Sequence, residues 1–232
     1  PSAIVNHSSL IVNRNDKLKF ENRLYFPVPY DKIKKRRVKK GGDEGGCDMK
    51  LYHTGFLALP APDLRHGRTN ADFGQGFYTS PDEDFSRRWA RVRRGQDTVL
   101  NTYELETDGL RILTLSRDEA WFGYIRRNRA GQPDLYKEYD VITGPIANDT
   151  IYDTWGLLTG GLLTPAQALS VLTVGPDYTQ TVIKTDRAAA QLRFLGAAIL
   201  SPAQVEEYRK TVKREEAEYQ ALFARIMESW EI

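Results

Sequence analysis

A chain of 232 residues is long enough for one large domain, or for one domain with an appendage. Its composition, 41% hydrophobic and 28% charged, is that of a globular protein, and no apolar run approaches the roughly 18–20 residues of a membrane span. We therefore expect no membrane partner. A single cysteine, Cys47, excludes an internal disulfide and, beside three histidines, offers no metal-ligand spacing, so no metal site is expected. Without a basic-then-apolar leader, a cytoplasmic location is predicted.

The net charge of +2 conceals a basic first segment. Residues 1–48 hold 11 Lys/Arg against 6 Asp/Glu, whereas the remainder holds 22 against 25. The excess is concentrated in residues 32–40, a run that is either a solvated basic tail or a contact for nucleic acid or an acidic partner. A hairpin is predicted ahead of it, over residues 10–30, and the glycine-rich residues 41–46 that follow are typical of a linker.

We therefore predict an N-terminal arm over residues 1–46, a main domain over 47–200 and a C-terminal helix over 201–232 that reaches about 29 residues. Period-two patterns and β-favouring runs predict strands over residues 49–53, 77–79, 98–106, 110–115, 139–146 and 178–184, and residues 194–200 form a further apolar run. The Asp108-Gly109 pair is expected to turn directly between two of them. Capping signals predict helices from residues 81, 116, 164 and 201, and a short helix is expected around residues 187–193. Because strands and helices do not alternate strictly, the predicted fold class is α+β.

The helix predicted over residues 81–94 places Phe85, Trp89 and Val92 on one face. Large apolar side chains at helical spacing are most often buried, so Trp89 is expected in the core. The same expectation applies to Trp121 and Phe194.

The stretch from Asp72 to Ser80 contains two glycines one residue apart, which let the backbone turn or approach a ligand closely. The β-favouring Phe77-Tyr78-Thr79 follows at once, and Ser80-Pro81 then starts a helix. Tyr78 thus stands between a glycine turn and a helix start. It is either a stacking surface for a ligand or a core tyrosine after an ordinary bend.

Four segments in order resemble a bacterial family of uncharacterised domains in the ADP-ribosyltransferase-like superfamily, in its histidine–tyrosine–glutamate branch. They are residues 51–55 (LYHTG), residues 72–79 (DFGQGFYT), residues 144–149 (GPIAND), and Gln180 ahead of residues 192–194 (LRF). The resemblance covers roughly residues 49–200. It implies a split mixed β-sheet with flanking helices.

The resemblance also implies a function, that of an NAD-dependent ADP-ribosyltransferase-like toxin modifying an intracellular macromolecule, either protein or nucleic acid. NAD would be the substrate, and a cognate antitoxin a further partner. His53 would hold a ribose hydroxyl, the backbone of Thr54 and Gly55 would meet the carboxamide, and Tyr78, beside Gly76, would stack on the nicotinamide.

Gln180 would occupy the place of the catalytic glutamate, and this is a departure, because an amide cannot neutralise the positive charge that develops on the ribose. Losing such a charge slows chemistry by about 10²–10³-fold. A second departure is Thr54, which separates His53 from Gly55.

The missing carboxylate would come from Asp149, Asp177 or Asp140. Among these candidates Asn148-Asp149, after the Gly144-Pro145 turn, is preferred, although an Asx turn or helix cap is the slightly favoured explanation of that pair. Two other functions stay open: an NAD glycohydrolase, in which water is the acceptor, and a catalytically inactive binding module that engages nucleic acid or protein.

Overall fold

The computed structural model describes residues 48–147, 160–172 and 178–230. The predicted arm over residues 1–46, with its hairpin and basic run, lies outside the described residues. So do Asn148, Asp149 and Asp177, three of the residues proposed above for the catalytic site.

Within these ranges the chain mixes strands and helices, which confirms the α+β class. The strands are β1 Met49–Gly55, β2 Phe77–Thr79, β3 Thr98–Leu105, β4 Ile112–Thr114, β5 Val141–Pro145, β6 Thr179–Ile183 and β7 Leu192–Leu200. The helices are α1 Glu83–Arg88, α2 Glu119–Arg129, α3 Pro165–Leu172, α4 Asp186–Ala190 and α5 Pro202–Ser229.

The strands form two sheets that meet at one edge. The three-stranded sheet has the order β1-β3-β7 and is antiparallel throughout. The four-stranded sheet has the order β2-β6-β5-β4, in which only the β4–β5 pair is parallel. Tyr52 of β1 and Ser80 after β2 join the sheets through two main-chain hydrogen bonds of 2.9 and 3.0 Å.

Three apolar clusters fill the spaces around these sheets. Leu51, Phe77, Tyr103 and Ile183 belong to the cluster between the two sheets. A second cluster lies between the four-stranded sheet and α2, and a third packs Ala90, after α1, and the start of α5 against the outer face of the three-stranded sheet. Each sheet is therefore buried on both faces over part of its area.

The strands on either side of Asp108-Gly109 do not form the expected hairpin. A turn does form there, with Gly109 at φ +71° and Leu110 N donating to Thr107 O at 3.1 Å. However, β3 lies between β1 and β7, whereas β4 pairs with β5 in the other sheet. Both edges of β3 are already paired, so no edge remains for β4.

The first helix is shorter than predicted, and its tryptophan is not in the core. α1 ends at Arg88, and Trp89, its C-cap, is 52% exposed. Ala90 takes the buried position instead. The expectation for Trp121 is confirmed at 1% exposure, and Phe194 is partly buried against the cluster between the sheets.

The C-terminal helix is as long as predicted, 28 residues, and begins with the expected capping box at Ser201 and Gln204. Its first turn is anchored by Val205, which is buried with Tyr52. No helix among the described residues is long and apolar enough to cross a membrane.

The glycine at position 76 is required by packing. A Cβ there would lie 2.6 Å from the Ile183 carbonyl oxygen and 2.7 Å from Val182 Cγ1, both on β6. We expect Gly76→Ala to lower the free energy of unfolding by about 2–3 kcal/mol, because the backbone of β2 must move away from β6. Urea denaturation measures this directly.

The matched control is Gly123→Ala in α2, where a Cβ meets nothing within 4 Å. Alanine is the better helix former, so this variant should gain about 0.5–1 kcal/mol. Equal effects of the two substitutions would contradict the packing argument.

Candidate functional site

His53 lies on β1, one residue past the bridge between the sheets. Its Nδ1 is 2.8 Å from the main-chain oxygen of Tyr78. A carbonyl oxygen only accepts, so Nδ1 carries the proton and Nε2 is left as an acceptor. Burial lowers the pKa of the imidazole, and the hydrogen bond to Tyr78 opposes this only in part. The ring is therefore neutral at pH 7 in a single tautomer.

The two residues after His53 play different parts. A Cβ on Gly55 would stand 3.3 Å from His53 Nε2, so the glycine leaves space beside the accepting nitrogen. The Thr54 hydroxyl donates to the Ser86 carbonyl oxygen at 2.6 Å and fastens β1 to α1. Gly55 thus fits the predicted ligand contact, whereas the Thr54 side chain is occupied by the fold.

Tyr78 touches His53 through its backbone and not through its ring. The His53 ring packs on Phe77, with centroids 4.7 Å apart, and neighbouring residues of a strand point to opposite faces. The Tyr78 ring accordingly packs against the cluster beneath α2, with Phe73 and Val182. Its hydroxyl donates to the Gly74 carbonyl oxygen at 2.7 Å and accepts from Phe73 N at 2.9 Å. Burial raises the pKa of this phenol.

Gln180 shares a face of the four-stranded sheet with Tyr78. Tyr78 pairs with Val182 across the β2–β6 ladder, and Gln180 is two residues from Val182 on the same strand. The Gln180 side chain is buried at 6% exposure, and its Nε2 donates to Asp72 Oδ2 at 3.4 Å. The structure therefore groups Tyr78 with Gln180 and places the His53 ring on the other face.

Asp72 is the carboxylate that the sequence analysis missed. Its Oδ1 accepts from Arg129 at 2.6 Å and 2.8 Å, and its Oδ2 accepts from Ala147 N at 3.3 Å. The side chains of Asp72 and Arg129 are 13% and 11% exposed. Asp72 stands first in the glycine-tyrosine stretch, but nothing in the sequence links it to an arginine 57 positions later.

Asp140 is remote from this group and has a structural task. Gly144 is the partner of Gln180 on β5, and Asp140 precedes it by four residues, about 13 Å along a strand. Burial raises the pKa of the Asp140 carboxyl, but hydrogen bonds from Arg111 N and the Thr185 hydroxyl outweigh it, so that the pKa is lowered overall. Asp140 thus tethers the segments before β4 and α4.

A cavity of about 350 Å³ opens beside Gly74. Asn128, Asp134 and Lys184 are among its lining residues. Lys184 pairs with Asp134 at 2.9 Å and donates to the Phe73 carbonyl oxygen. This volume lies within the range of small-molecule sites, but none of the predicted site residues lines it.

The described chain is therefore a two-sheet α+β protein with a neutral histidine at the junction of its sheets and a buried Asp–Arg–Gln group behind them. A model of the family DUF3990, described as a protein of unknown function, matches residues 49–194, and the chain belongs to that family. No curated protein and no solved structure matches the chain.

The depressed pKa of His53 makes stability depend on pH. In the unfolded chain an imidazole titrates near 6.5, so below about that pH the unfolded state binds more protons than the folded state. Stability should therefore fall as the pH drops through this value. Between about pH 8 and pH 5.5, we expect the free energy of unfolding to decrease less for His53→Gln than for the wild type.

Urea denaturation across that pH range is the measurement. The matched control is His66→Gln, which makes the same substitution at an exposed position. Parallel slopes for the wild type and His53→Gln would show that His53 is not desolvated in the folded state.

Proposed function

We propose that this protein is an NAD-dependent ADP-ribosyltransferase-like enzyme that transfers ADP-ribose from NAD to a macromolecule in the cytoplasm. The observation that carries the proposal is the fixed tautomer of His53. Its Nε2 is an acceptor beside Gly55, while Nδ1 is held by the Tyr78 carbonyl oxygen. A ribose hydroxyl needs such an acceptor, and a preset ring orients the sugar without further ordering cost.

For transfer of ADP-ribose, the protein has to position NAD and the acceptor and to stabilise the charge that develops on the ribose. The bond between ribose C1′ and the nicotinamide nitrogen breaks, and its electron pair leaves with nicotinamide. An acceptor nucleophile forms the new bond to C1′ and loses its proton to solvent or to a nearby base. Positive charge develops on the ribose in between, and fixed negative charge or dipoles lower the barrier.

Asp72 supports this chemistry where Gln180 alone does not. Its carboxylate oxygen lies 3.4 Å from Gln180 Nε2, so it polarises the amide and adds negative charge on that face of the sheet. Arg129 offsets part of the charge, because it pairs with Asp72 at 2.6 Å. In the proposal, Gln180 orients a ribose hydroxyl, and Asp72 positions Gln180.

A second candidate, an NAD-binding module without transfer activity, is favoured by the position of Tyr78. Its ring is on the face opposite the His53 ring, and both hydrogen bonds of its hydroxyl go to the glycine stretch. Stacking on a nicotinamide held by His53 would require this arrangement to change. The two candidates share NAD binding and differ in turnover.

Binding is tested first. NAD should raise the melting temperature of the wild type, because a ligand that binds only the folded state stabilises it. His53→Ala should abolish most of that rise, whereas exposed His66→Ala should retain it. Thermal shift assays over a range of NAD concentrations give the comparison. An undiminished rise in His53→Ala would remove His53 from the site.

Turnover separates the two candidates. We expect the wild type to release nicotinamide and label a macromolecule, and Gln180→Ala to lower kcat about 10²-fold with NAD binding nearly unchanged. Thr179→Ala, a neighbouring strand residue on the opposite face, is the control and should retain kcat. Nicotinamide release is followed by chromatography and transfer by labelled NAD.

The structure also sets an expectation for Gln180→Glu. The new carboxylate would face Asp72 across about the same 3.4 Å, and like charges at this distance raise one pKa. We therefore expect no gain in turnover at neutral pH. Release without transfer would identify a glycohydrolase, and NAD binding without release would identify the binding module.

A further inference from the structure

The loop that follows α1 is exposed, basic and aromatic. Arg91, Arg93 and Arg94 are all exposed, as are Trp89 at 52% and Val92 at 59%. In the described part of the chain, none of these three guanidinium groups forms an ion pair with a carboxylate. This loop, residues 89–96, therefore presents positive charge that no carboxylate of the described residues pairs with.

The arginines of α1, the helix before this loop, do have ion-pair partners. Arg87 and Arg88 are half-buried and pair with Glu83 at 2.5 Å and Glu215 at 2.7 Å. Arginines that serve the fold here thus have carboxylate partners. The loop carries one acid close behind it, Asp97, which is exposed.

The loop has a defined conformation. Arg91 donates to the Ala90 carbonyl oxygen at 3.2 Å, and its guanidinium lies 5.9 Å from the centroid of the Trp89 ring. Thr98 donates its hydroxyl to the Arg91 carbonyl oxygen at 2.5 Å, and Gln96 N donates to the Arg93 carbonyl oxygen at 3.1 Å. A surface of fixed shape loses little entropy when it binds.

The loop also lies beside the candidate site. The Arg93 guanidinium is 5.6 Å from the ring centroid of Phe56, the residue after Gly55. Next to Phe56, Leu57 is 63% exposed. The charge of Arg93 and the exposed apolar side chain of Leu57 therefore lie next to Gly55, at the rim of the His53 site.

We propose that this loop, with Phe56 and Leu57, binds single-stranded nucleic acid. Guanidinium groups pair with phosphates, and an exposed indole stacks on bases, which a single strand leaves accessible and a duplex hides. An acidic polypeptide would satisfy the arginines but has no use for the exposed ring and apolar side chains. The loop would hold the acceptor next to the NAD site; that role rests on the proposed function, whereas the binding itself does not.

The test measures the anisotropy of a labelled 12-nucleotide single strand, DNA or RNA, with the full chain and without NAD. The variant combines Arg91→Ala, Arg93→Ala and Arg94→Ala. We expect affinity to fall about tenfold or more, and the salt dependence to become shallower by about two units, since each phosphate contact contributes roughly 0.7 for a single strand. Because NAD is absent, the result does not depend on enzyme activity.

The matched control combines Lys210→Ala, Lys213→Ala and Arg214→Ala, which removes the same charge from the exposed face of α5. It should bind like the wild type. A second control replaces Lys34, Lys35, Arg36 and Arg37 with alanine, because the basic run is a competing site. Loss of binding only in that variant, or equal loss in the α5 variant, would overturn the proposal.

The indole is tested separately. Trp89→Leu should weaken binding about tenfold, whereas Trp89→Phe, which keeps a ring, should recover much of the affinity. Melting temperatures close to that of the wild type establish that the variants fold. A preference for duplex over single strand, or equal effects of Trp89→Leu and Trp89→Phe, would overturn the role of stacking. Displacement of the strand by poly-glutamate at matched charge would indicate an acidic protein partner instead.

Discussion

The junction of the two sheets is the constraint on which the site depends. β1 and β2 touch through the reciprocal main-chain bonds of Tyr52 and Ser80, and the His53 side chain adds a third bond, to the Tyr78 carbonyl oxygen. This bond fixes the tautomer of a ring whose pKa is already lowered by burial. The same contact that holds the sheets together therefore determines which nitrogen is left as an acceptor.

Behind the four-stranded sheet, the buried carboxylate of Asp72 also holds separate elements together. An isolated charge in this position would be strongly destabilising, so Asp72 is accompanied by Arg129 and by the amide of Ala147. Asn128 also donates to the Asp72 carbonyl oxygen at 2.9 Å. The group connects α2, the end of β5 and the glycine stretch. Gln180 adds an uncharged donor to it, where a glutamate would bring a second negative charge.

Much of the fold could be predicted from local pattern, because strands and helix caps leave short-range signals. The capping box at Ser201 and Gln204, the strand at Phe77–Thr79 and the α+β class all follow from such signals. Pairing could not be predicted in the same way. The Asp108-Gly109 turn suggested a hairpin, but the two edges of β3 are taken by strands that begin 49 residues earlier and 94 residues later in the chain. Which strands pair with β3 is determined by tertiary contacts, which a local sequence pattern does not contain.

The same limit applies to the site. Helical spacing placed Trp89 in the core, although the helix ends one residue before it and Ala90 fills the buried position. The resemblance named His53, Tyr78 and Gln180 as partners. It could not indicate that alternation along β2 directs Phe77 toward His53 and Tyr78 toward Gln180. Nor could it indicate Asp72, whose importance comes from an arginine distant in sequence.

The His53 ring and the Gln180 side chain lie on opposite faces of β2, and this limits how a ligand can contact both. β2 is only three residues long, about 10 Å, so the sheet ends close to both His53 and Gln180. At that end the Ser80 hydroxyl donates to the Thr179 carbonyl oxygen at 2.8 Å, and closes the β2–β6 ladder. A ligand that contacts both residues therefore has to extend around this strand end.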